Sequence, residues 1–536
     1  MAEQLSTEQV LLLNNLMYMQ DQEPFSSITS YDGYTVSDII NDIDLSKIDD
    51  DTDYGSYMTG REWKEMIQAI QNDEQLLNVE VQTTHVDTAE GGGGGVSALF
   101  VDPANNEAVV VYRGTASNEW KDDFIGGAGT DTADGVSTQQ QINALEWYQS
   151  LDLEQYDSVT VSGHSKGGNK AKYITVMDGS VDRCLSFDGQ GFSDEFVEAY
   201  SDEIAGRQDK IENHNVESDY VNILLNDIGK TTYYKGHDYG DGGFLENHCP
   251  NTFFAYDSDG NIYLETCEQN ETLANMDEFL NSYLRSLSEE DKQAALALMG
   301  EIVEAGFNGA SAQEILDILL SDNNTDYAAY LLAYLIRYEQ ENTGFMDDIE
   351  DLLNDMGFED IHKIVNAVDS VLDWKYFDQL VDVLAWGSDK IPDWLLEKLR
   401  DYLKEKTGLD LSVDDLKKFL SMLQTINSDL DSITVVSDGS DREIASITGS
   451  FSVMPTNLKT LTEAFDSVSE KLDSLSERVA DVSGKLDSIY VSHIFKLNTC
   501  KANMLRKKRL CKTLGTKLED IAELYEKAEK NAVSQF

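Results

Sequence analysis

The sequence predicts an α/β domain towards its N-terminus, then an all-α region, then a C-terminal helical hairpin or coiled coil. Three observations predict this order. Apolar β-branched runs alternate with helical segments between residues 76 and 267, and strand signals almost vanish after Cys267. From Leu458 to Leu486 an apolar residue recurs at alternating steps of three and four. The expected division is an N-terminal helical part (1–75), an α/β core (76–267), a helical domain or spacer (268–428) and a helical partner-binding domain (429–536).

The core is defined by one short run. Val159-Thr160-Val161 reads as a strand and leads into Gly163-His164-Ser165-Lys166-Gly167, after which the chain can be helical. This is G-x-S-x-G on a strand-to-helix turn, so sharp that the serine stands above the sheet edge. Side chains at 163 and 167 would collide with the neighbouring helix and strand, which is why glycine is needed there. Ser165 is the candidate nucleophile, and the context is that of an α/β-hydrolase.

A nucleophilic serine needs a base, and the base needs an orienting acid. In α/β-hydrolases they follow in the order Ser, Asp or Glu, His. Of seven histidines, His214, His237 and His248 lie downstream within the core. His248, in a loop just before the strand-like Thr252 to Tyr256, is the favoured base. His237 is its rival, with a surface turn as its plainer reading, and His214 is expected to be solvated. Asp219, after the strand end Asn215 to Ser218, is the favoured acid. Asp188, one strand earlier, reads as a turn-former bracing the loop beside the elbow.

Upstream, Glu107 to Tyr112 forms an apolar strand ending in Arg113-Gly114-Thr115. With the elbow, Phe187-Asp188-Gly189-Gln190-Gly191 and Glu217-Ser218-Asp219-Tyr220-Val221, the order of motifs resembles the class 3 lipases. The Mbeg1-like branch is the most similar, and the resemblance covers roughly residues 75 to 266. It implies that the backbone N–H of Thr115, with its hydroxyl, and the N–H of Lys166 form the oxyanion hole. One such donor contributes about 3–4 kcal/mol to the transition state. Many class 3 lipases carry an apolar residue where this chain has Lys166. Its ammonium is expected either near the mouth of the site, suited to a phosphate headgroup, or in solvent.

Composition sets limits. No apolar run approaches the ~18 residues of a membrane-spanning helix, and the first residues lack the basic n-region and the cleavage site of a Sec signal. Ser6 and Gln9 instead form a capping-box pattern ahead of a helix from Val10 to Met19. Five cysteines without metal spacing suggest neither a disulfide framework nor a zinc site. No cofactor motif is present, because the run Gly91 to Gly95 lacks the Lys-Ser/Thr of a phosphate loop and reads as a hairpin loop. A net charge of −60 argues against nucleic acid and against permanent adsorption on anionic lipid, leaving at most transient membrane contact.

Trp120 and Phe124 are candidates for a cover over an acyl-binding groove. Helices are expected over Val136 to Leu151, Met276 to Leu287, Asp291 to Ala305, Ala312 to Leu320 and Leu396 to Leu403. The seam from Leu458 to Leu486 has the a/d spacing of a coiled coil and calls for a partner helix. From Phe495 onward, ten basic residues stand against five acidic ones. The charge reversal suits an acidic partner, lipid, or the chain's own acidic surface.

A helical hairpin without a Sec signal, joined to a lipase, resembles substrates of the bacterial type VII secretion system, with the domain order of toxins whose targeting domain is C-terminal. Tyr525-Glu526-Lys527-Ala528-Glu529 fits their Tyr-x-x-x-Asp/Glu motif, while the Trp-x-Gly turn is missing from the tail. The resemblance implies a secreted, antibacterial lipase toxin of phospholipase A type, with small helical escorts and an immunity protein as partners. The alternative is an intracellular esterase whose C-terminal helices make a homodimer. A third reading, a helical adaptor with an inactive hydrolase, is opposed by the complete candidate triad.

The seam carries no catalytic residue type, so truncation near Ser450 is expected to leave ester hydrolysis intact and to abolish export and co-purification with helical escorts. Loss of activity in a folded truncated protein would place the tail at the active site. A full-length protein found only as a homodimer through the seam would favour the intracellular esterase.

Overall fold

The computed structural model describes residues 4–20, 22–54, 58–88, 95–114, 135–237, 247–257, 261–287, 289–307, 310–321, 324–342, 345, 393–407, 411–420, 471, 474, 475 and 478. The chain forms two compact units, one made of 1–328 with 341–364 and the other of 329–340 with 365–536. Thr115, Trp120, Phe124, almost all of the seam and the whole basic tail lie outside the described residues.

The first unit is built on an eight-stranded sheet. Its strands are β1 (Glu80–Val86), β2 (Val96–Asp102), β3 (Glu107–Tyr112), β4 (Ser158–His164), β5 (Arg183–Phe187), β6 (Ile211–Val216), β7 (Lys230–Tyr234) and β10 (Thr266–Cys267), adjacent in that order. β1, β2 and β3 pair antiparallel, β3 to β7 are parallel, and β10 closes the far edge antiparallel to β7. This is the α/β-hydrolase architecture. β3 and β4 are buried along their whole length, as expected of parallel strands covered on both faces. Val109 and Val111 of β3 belong to one core, while Ala108, Val110 and Tyr112 belong to the other. That alternation follows from the period of two along a strand.

The first core is filled largely by the N-terminal helices α1 (Thr7–Leu16), α2 (Val36–Asp42), α3 (Gly60–Gln71) and α4 (Glu74–Leu77). The capping box read from Ser6 and Gln9 is present in both directions. The N-terminal segment is also stapled to the sheet by polar contacts. Leu5 N–H donates to Glu107 Oε2 (2.9 Å), Asn14 Nδ2 to Ser162 Oγ (2.8 Å), and Arg183 to the Leu5 carbonyl (3.2 Å). Burial raises the Glu107 carboxyl above its usual range, partly offset by the Leu5 and Thr160 hydrogen bonds. The second core receives α5 (Gln139–Ser150), α6 (Lys166–Met177), α7 (Asp194–Ala199) and α8 (Ser201–Arg207).

Downstream, α9 (Glu271–Arg285), α10 (Glu289–Phe307), α11 (Ala312–Leu319) and, after α12 (Thr325–Glu341), α13 (Asp393–Thr407) follow; all but α12 lie where helices are read from the sequence, with ends shifted by a few residues. In the second unit Leu395, Leu396, Leu399 and Leu403 form one buried face of α13, the stripe expected of an amphipathic helix. No described helix is long and apolar enough to cross a membrane.

One strand reading is corrected. Of Thr252 to Tyr256 only β8 (Ala255–Tyr256) is strand, and it pairs with β9 (Ile262–Tyr263) outside the main sheet. Residues 250–253 form turns instead, with Thr252 N–H on the Cys249 carbonyl and Phe254 N–H on the Asn251 carbonyl. Pro250 starts that turn and has no N–H for a ladder.

The helix after the elbow sits directly on β3. A Cβ on Gly167 would lie 1.9 Å from the Tyr112 carbonyl oxygen, and one on Gly163 would lie 2.0 Å from the Gly167 carbonyl carbon. Neither contact can be relieved without moving backbone. Gly167→Ala is therefore expected to lower stability by about 1–3 kcal/mol or more, read as a fall in Tm, and to reduce hydrolysis by displacing Ser165. An unchanged Tm would refute this packing.

Candidate active site

Ser165 joins β4 to α6 with φ 59° and ψ −131°, a left-handed conformation that an L-residue adopts only when its surroundings impose it. Its N–H donates to the Phe187 carbonyl (2.8 Å), and its carbonyl accepts from Gly168 N–H (2.8 Å). The elbow is thus fastened to β5 on one side and to the first turn of its own helix on the other.

The structure brings Ser165, His248 and Asp219 together. His248 Nε2 lies 2.7 Å from Ser165 Oγ, and His248 Nδ1 lies 2.5 Å from Asp219 Oδ2. Asp219 is fully buried, and its Oδ1 accepts the N–H groups of Val221 and Asn222, both at 2.8 Å. These bonds fix the carboxylate plane, so its other oxygen meets the imidazole. His248 follows a segment outside the described residues and enters on a short helical turn that ends before Pro250.

Lys166 is the first residue of α6, so its N–H belongs to the helix N-terminus, where the helix dipole favours negative charge. Its side chain is buried beside the nucleophile, which overturns the solvent reading of the ammonium. Thr115 lies outside the described residues, but Gly114 before it is placed. A Cβ on Gly114 would lie 2.9 Å from Ser165 Cβ, so the chain leading to Thr115 passes against the nucleophile.

Two rival histidines are placed elsewhere. His237 is half-buried, and its N–H donates to the Thr252 carbonyl (2.8 Å), so it braces the turn after His248. His214 on β6 is buried, which corrects the solvated reading. Its ring stacks on Phe187 at 5.3 Å, and its Nδ1 lies 2.9 Å from the Tyr234 hydroxyl. Its neighbours Asn213 and Asn215 gave it a polar sequence context, yet the parallel strand buries all three.

Sequence reasoning missed the contacts around His164. This residue, inside the elbow, is buried with Nδ1 2.6 Å from the Tyr18 hydroxyl and its ring 4.8 Å from that of His248. Burial and the neighbouring His248 hold it neutral, with its pKa well below the usual histidine value. Tyr18 is 146 residues away in sequence, and no local pattern announces the pairing. Asp188 sits at the end of β5 with φ 45°. Its N–H donates to the His214 carbonyl (2.9 Å), and its Oδ1 accepts from Val216 N–H (2.7 Å). His164, Asp188 and His248 are the one described cluster whose donor atoms lie close enough to hold a metal ion. Both nitrogens of His248 are engaged by Ser165 and Asp219, however, so a metal would have to break one of those bonds. The cluster fits proton chemistry better.

Residues 77–300 match the model of the Mbeg1-like family. With the hydrogen-bonded serine, histidine and aspartate, this makes the segment a serine hydrolase of carboxylic esters, of lipase type. The match covers the hydrolase and the helices directly after it, not the C-terminal part. No curated protein matches the chain. Three solved structures share a partial likeness. They are the MDLA mutant from Penicillium cyclopium (11% identity, 48% of this chain and 84% of that one, TM-score 0.28), the Lip2 lipase from Yarrowia lipolytica (16%, 50% and 84%, 0.29) and the mono- and diacylglycerol lipase from Aspergillus oryzae (11%, 50% and 88%, 0.28). At these TM-scores the fold assignment rests on strand order and the elbow, not on these structures.

Burial pushes the His214 pKa down from 6.5 to about 4. Between those values the unfolded chain binds a proton that the folded chain does not, so stability is complete above about pH 6.5 and falls as pH drops towards 4. The loss attributable to this one group is about 3 kcal/mol. His214→Gln is expected to flatten the slope of denaturant stability between pH 6.5 and 4 by about that amount. An unchanged slope would refute the assignment.

Proposed function

We propose that the chain is a lipase of phospholipase A type, hydrolysing acyl esters of membrane lipids, and that it acts after export as an antibacterial toxin. The observation that carries the hydrolytic part is the continuous chain Ser165 Oγ, His248 and Asp219 at a strand-to-helix elbow. Ser165 attacks the ester carbonyl while His248 takes its proton and returns it to the leaving alcohol. Asp219 keeps the imidazole in the correct tautomer and stabilises the imidazolium. The N–H groups of Lys166 and Thr115 receive the oxyanion. Water then repeats the sequence on the acyl-enzyme.

The preference for a phospholipid over a neutral lipid rests on the sequence, which puts Lys166 next to the nucleophile where many class 3 lipases are apolar, a residue type that suits a phosphate headgroup. Support for export comes from the architecture read from the sequence: an a/d seam and a basic tail on an acidic chain. Helical escorts would cover that seam, and an immunity protein would protect the producer. The chain's charge of −60 disfavours lasting adsorption on anionic lipid and suits a transient encounter.

Ser165→Ala is expected to abolish fatty-acid release with Tm unchanged, because only the attacking oxygen is lost. Activity above a few per cent of wild type would rule out Ser165 as nucleophile. Incubation with defined phospholipids and triglycerides, with products identified by mass spectrometry, should give a lysophospholipid and a free fatty acid. Release from triglyceride alone would overturn the phospholipase reading.

A further inference from the structure

The triad leaves a second buried carboxylate beside the base. Asp188 follows β5 and Asp219 follows β6, and these two strands are parallel neighbours. Both acids therefore rise at the same sheet edge, and both are fully buried. Asn222 links them: its Nδ2 donates to Asp188 Oδ1 (3.0 Å) and its N–H to Asp219 Oδ1 (2.8 Å). Asp188 Oδ2 is buried without a hydrogen-bond partner. A carboxylate oxygen of Asp188 and ring nitrogens of His164 and His248 lie within 4.8 Å of one another. A turn-forming aspartate needs only Oδ1, so the turn does not account for the second oxygen.

We propose that Asp188 is a second acid for His248, able to hold the imidazolium when Asp219 does not. This deepens the hydrolase reading above and rests on it. Two carboxyls this close cannot both ionise cheaply in a buried site. Burial, then the charge of Asp219, hold the Asp188 carboxyl well above the usual carboxylate range, against the Asn222 and Val216 hydrogen bonds. Among the described residues the ionisable groups next to it are Asp219, His248, His164 and, through its backbone, His214; burial keeps both His164 and His214 neutral. If Asp219 is neutralised, the repulsion disappears. Burial still opposes ionisation, so it is pairing with the His248 imidazolium, within 4.8 Å, that lets Asp188 release its proton to solvent and restores one negative charge beside the base. In this role Asp188 is a positioning residue, since it acts on substrate only through the histidine.

The test is a double-mutant cycle on the full-length protein with a soluble p-nitrophenyl ester, reading kcat and KM from pH 5 to 9. Asp188→Asn alone is expected to cost less than about tenfold in kcat, and Asp219→Asn alone roughly a hundredfold, with KM nearly constant. The double variant should fall by roughly 10,000-fold, the loss typical of a base without its orienting carboxylate. That exceeds the product of the two single effects. The acid limb of kcat in Asp219→Asn should move to the pH at which Asp188 ionises. The proposal is overturned if Asp188→Asn costs the same factor in both backgrounds, or if Asp219→Asn alone already shows the full loss. Should a variant carrying Asp188→Asn fail to fold, the low-field proton resonance of His248 Nδ1–H in Asp219→Asn decides: its persistence supports the proposal, and its disappearance overturns it. Activity surviving in Ser165→Ala would instead sink the triad itself.

Discussion

The conformation at Ser165 is the constraint on which the site depends. A residue with φ 59° between a buried strand and a buried helix holds only if both neighbours are locked. Here β3 presses on Gly167, the helix presses back on Gly163, and β5 takes the Ser165 N–H. Because the serine cannot relax into the sheet, its hydroxyl stays where a histidine from a late loop can reach it. The parallel order of β4, β5 and β6 then does the rest. Each strand delivers its following loop to the same edge, so Ser165, Asp188 and Asp219 become neighbours although 54 residues separate the first from the last.

How much of this was legible in the sequence depended on the range of the interactions. The elbow is local: glycine, serine and glycine within five residues, between a strand and a helix, and the structure has that geometry. Asp219 carried a local cue as well, an acid just past an apolar strand, and its two backbone hydrogen bonds come from the next three residues. The capping box of the first helix was readable for the same reason. Long-range contacts were not readable. The pairing of Tyr18 with His164 spans 146 residues, and nothing near either residue specifies it. His214 was misread because polar neighbours signal exposure only when one face of a strand is wet, and β6 has no such face over residues 213–216. The strand expected over Thr252 to Tyr256 failed at Pro250 and Asn251, whose turn chemistry outweighed the apolar content that followed.

Electrostatics around the base show a consistent economy of charge. His164 is kept neutral, Asp188 is pushed towards its protonated form, and His248 is left between one nucleophile and one acid. A second cation at His164 would oppose formation of the imidazolium at 4.8 Å in a medium where screening is weak. A second full anion at Asp188 would repel Asp219. The Tyr18 hydroxyl, 2.6 Å from His164 Nδ1, contributes by holding that ring in place beside the base.

That contribution places part of the active-site support outside the region matched by the family. Residues before 77 supply Tyr18 to His164, Asn14 to the Ser162 hydroxyl of the nucleophile strand, and Leu5 N–H to Glu107 at the start of β3. Glu107 in turn accepts from Thr160 on the nucleophile strand, so the N-terminal segment reaches β4 by two routes. Each staple buries a polar group that would be left unsatisfied without its partner, at about 1–3 kcal/mol apiece. Removing the segment would also uncover the apolar face of the sheet formed by Val109, Val111, Leu185 and Phe187. The functional hydrolase is therefore larger than its motifs. Its catalytic residues come from the matched region, while the rigidity that keeps Ser165 strained and His164 in place is supplied in part by helices whose own sequence carries no catalytic signature.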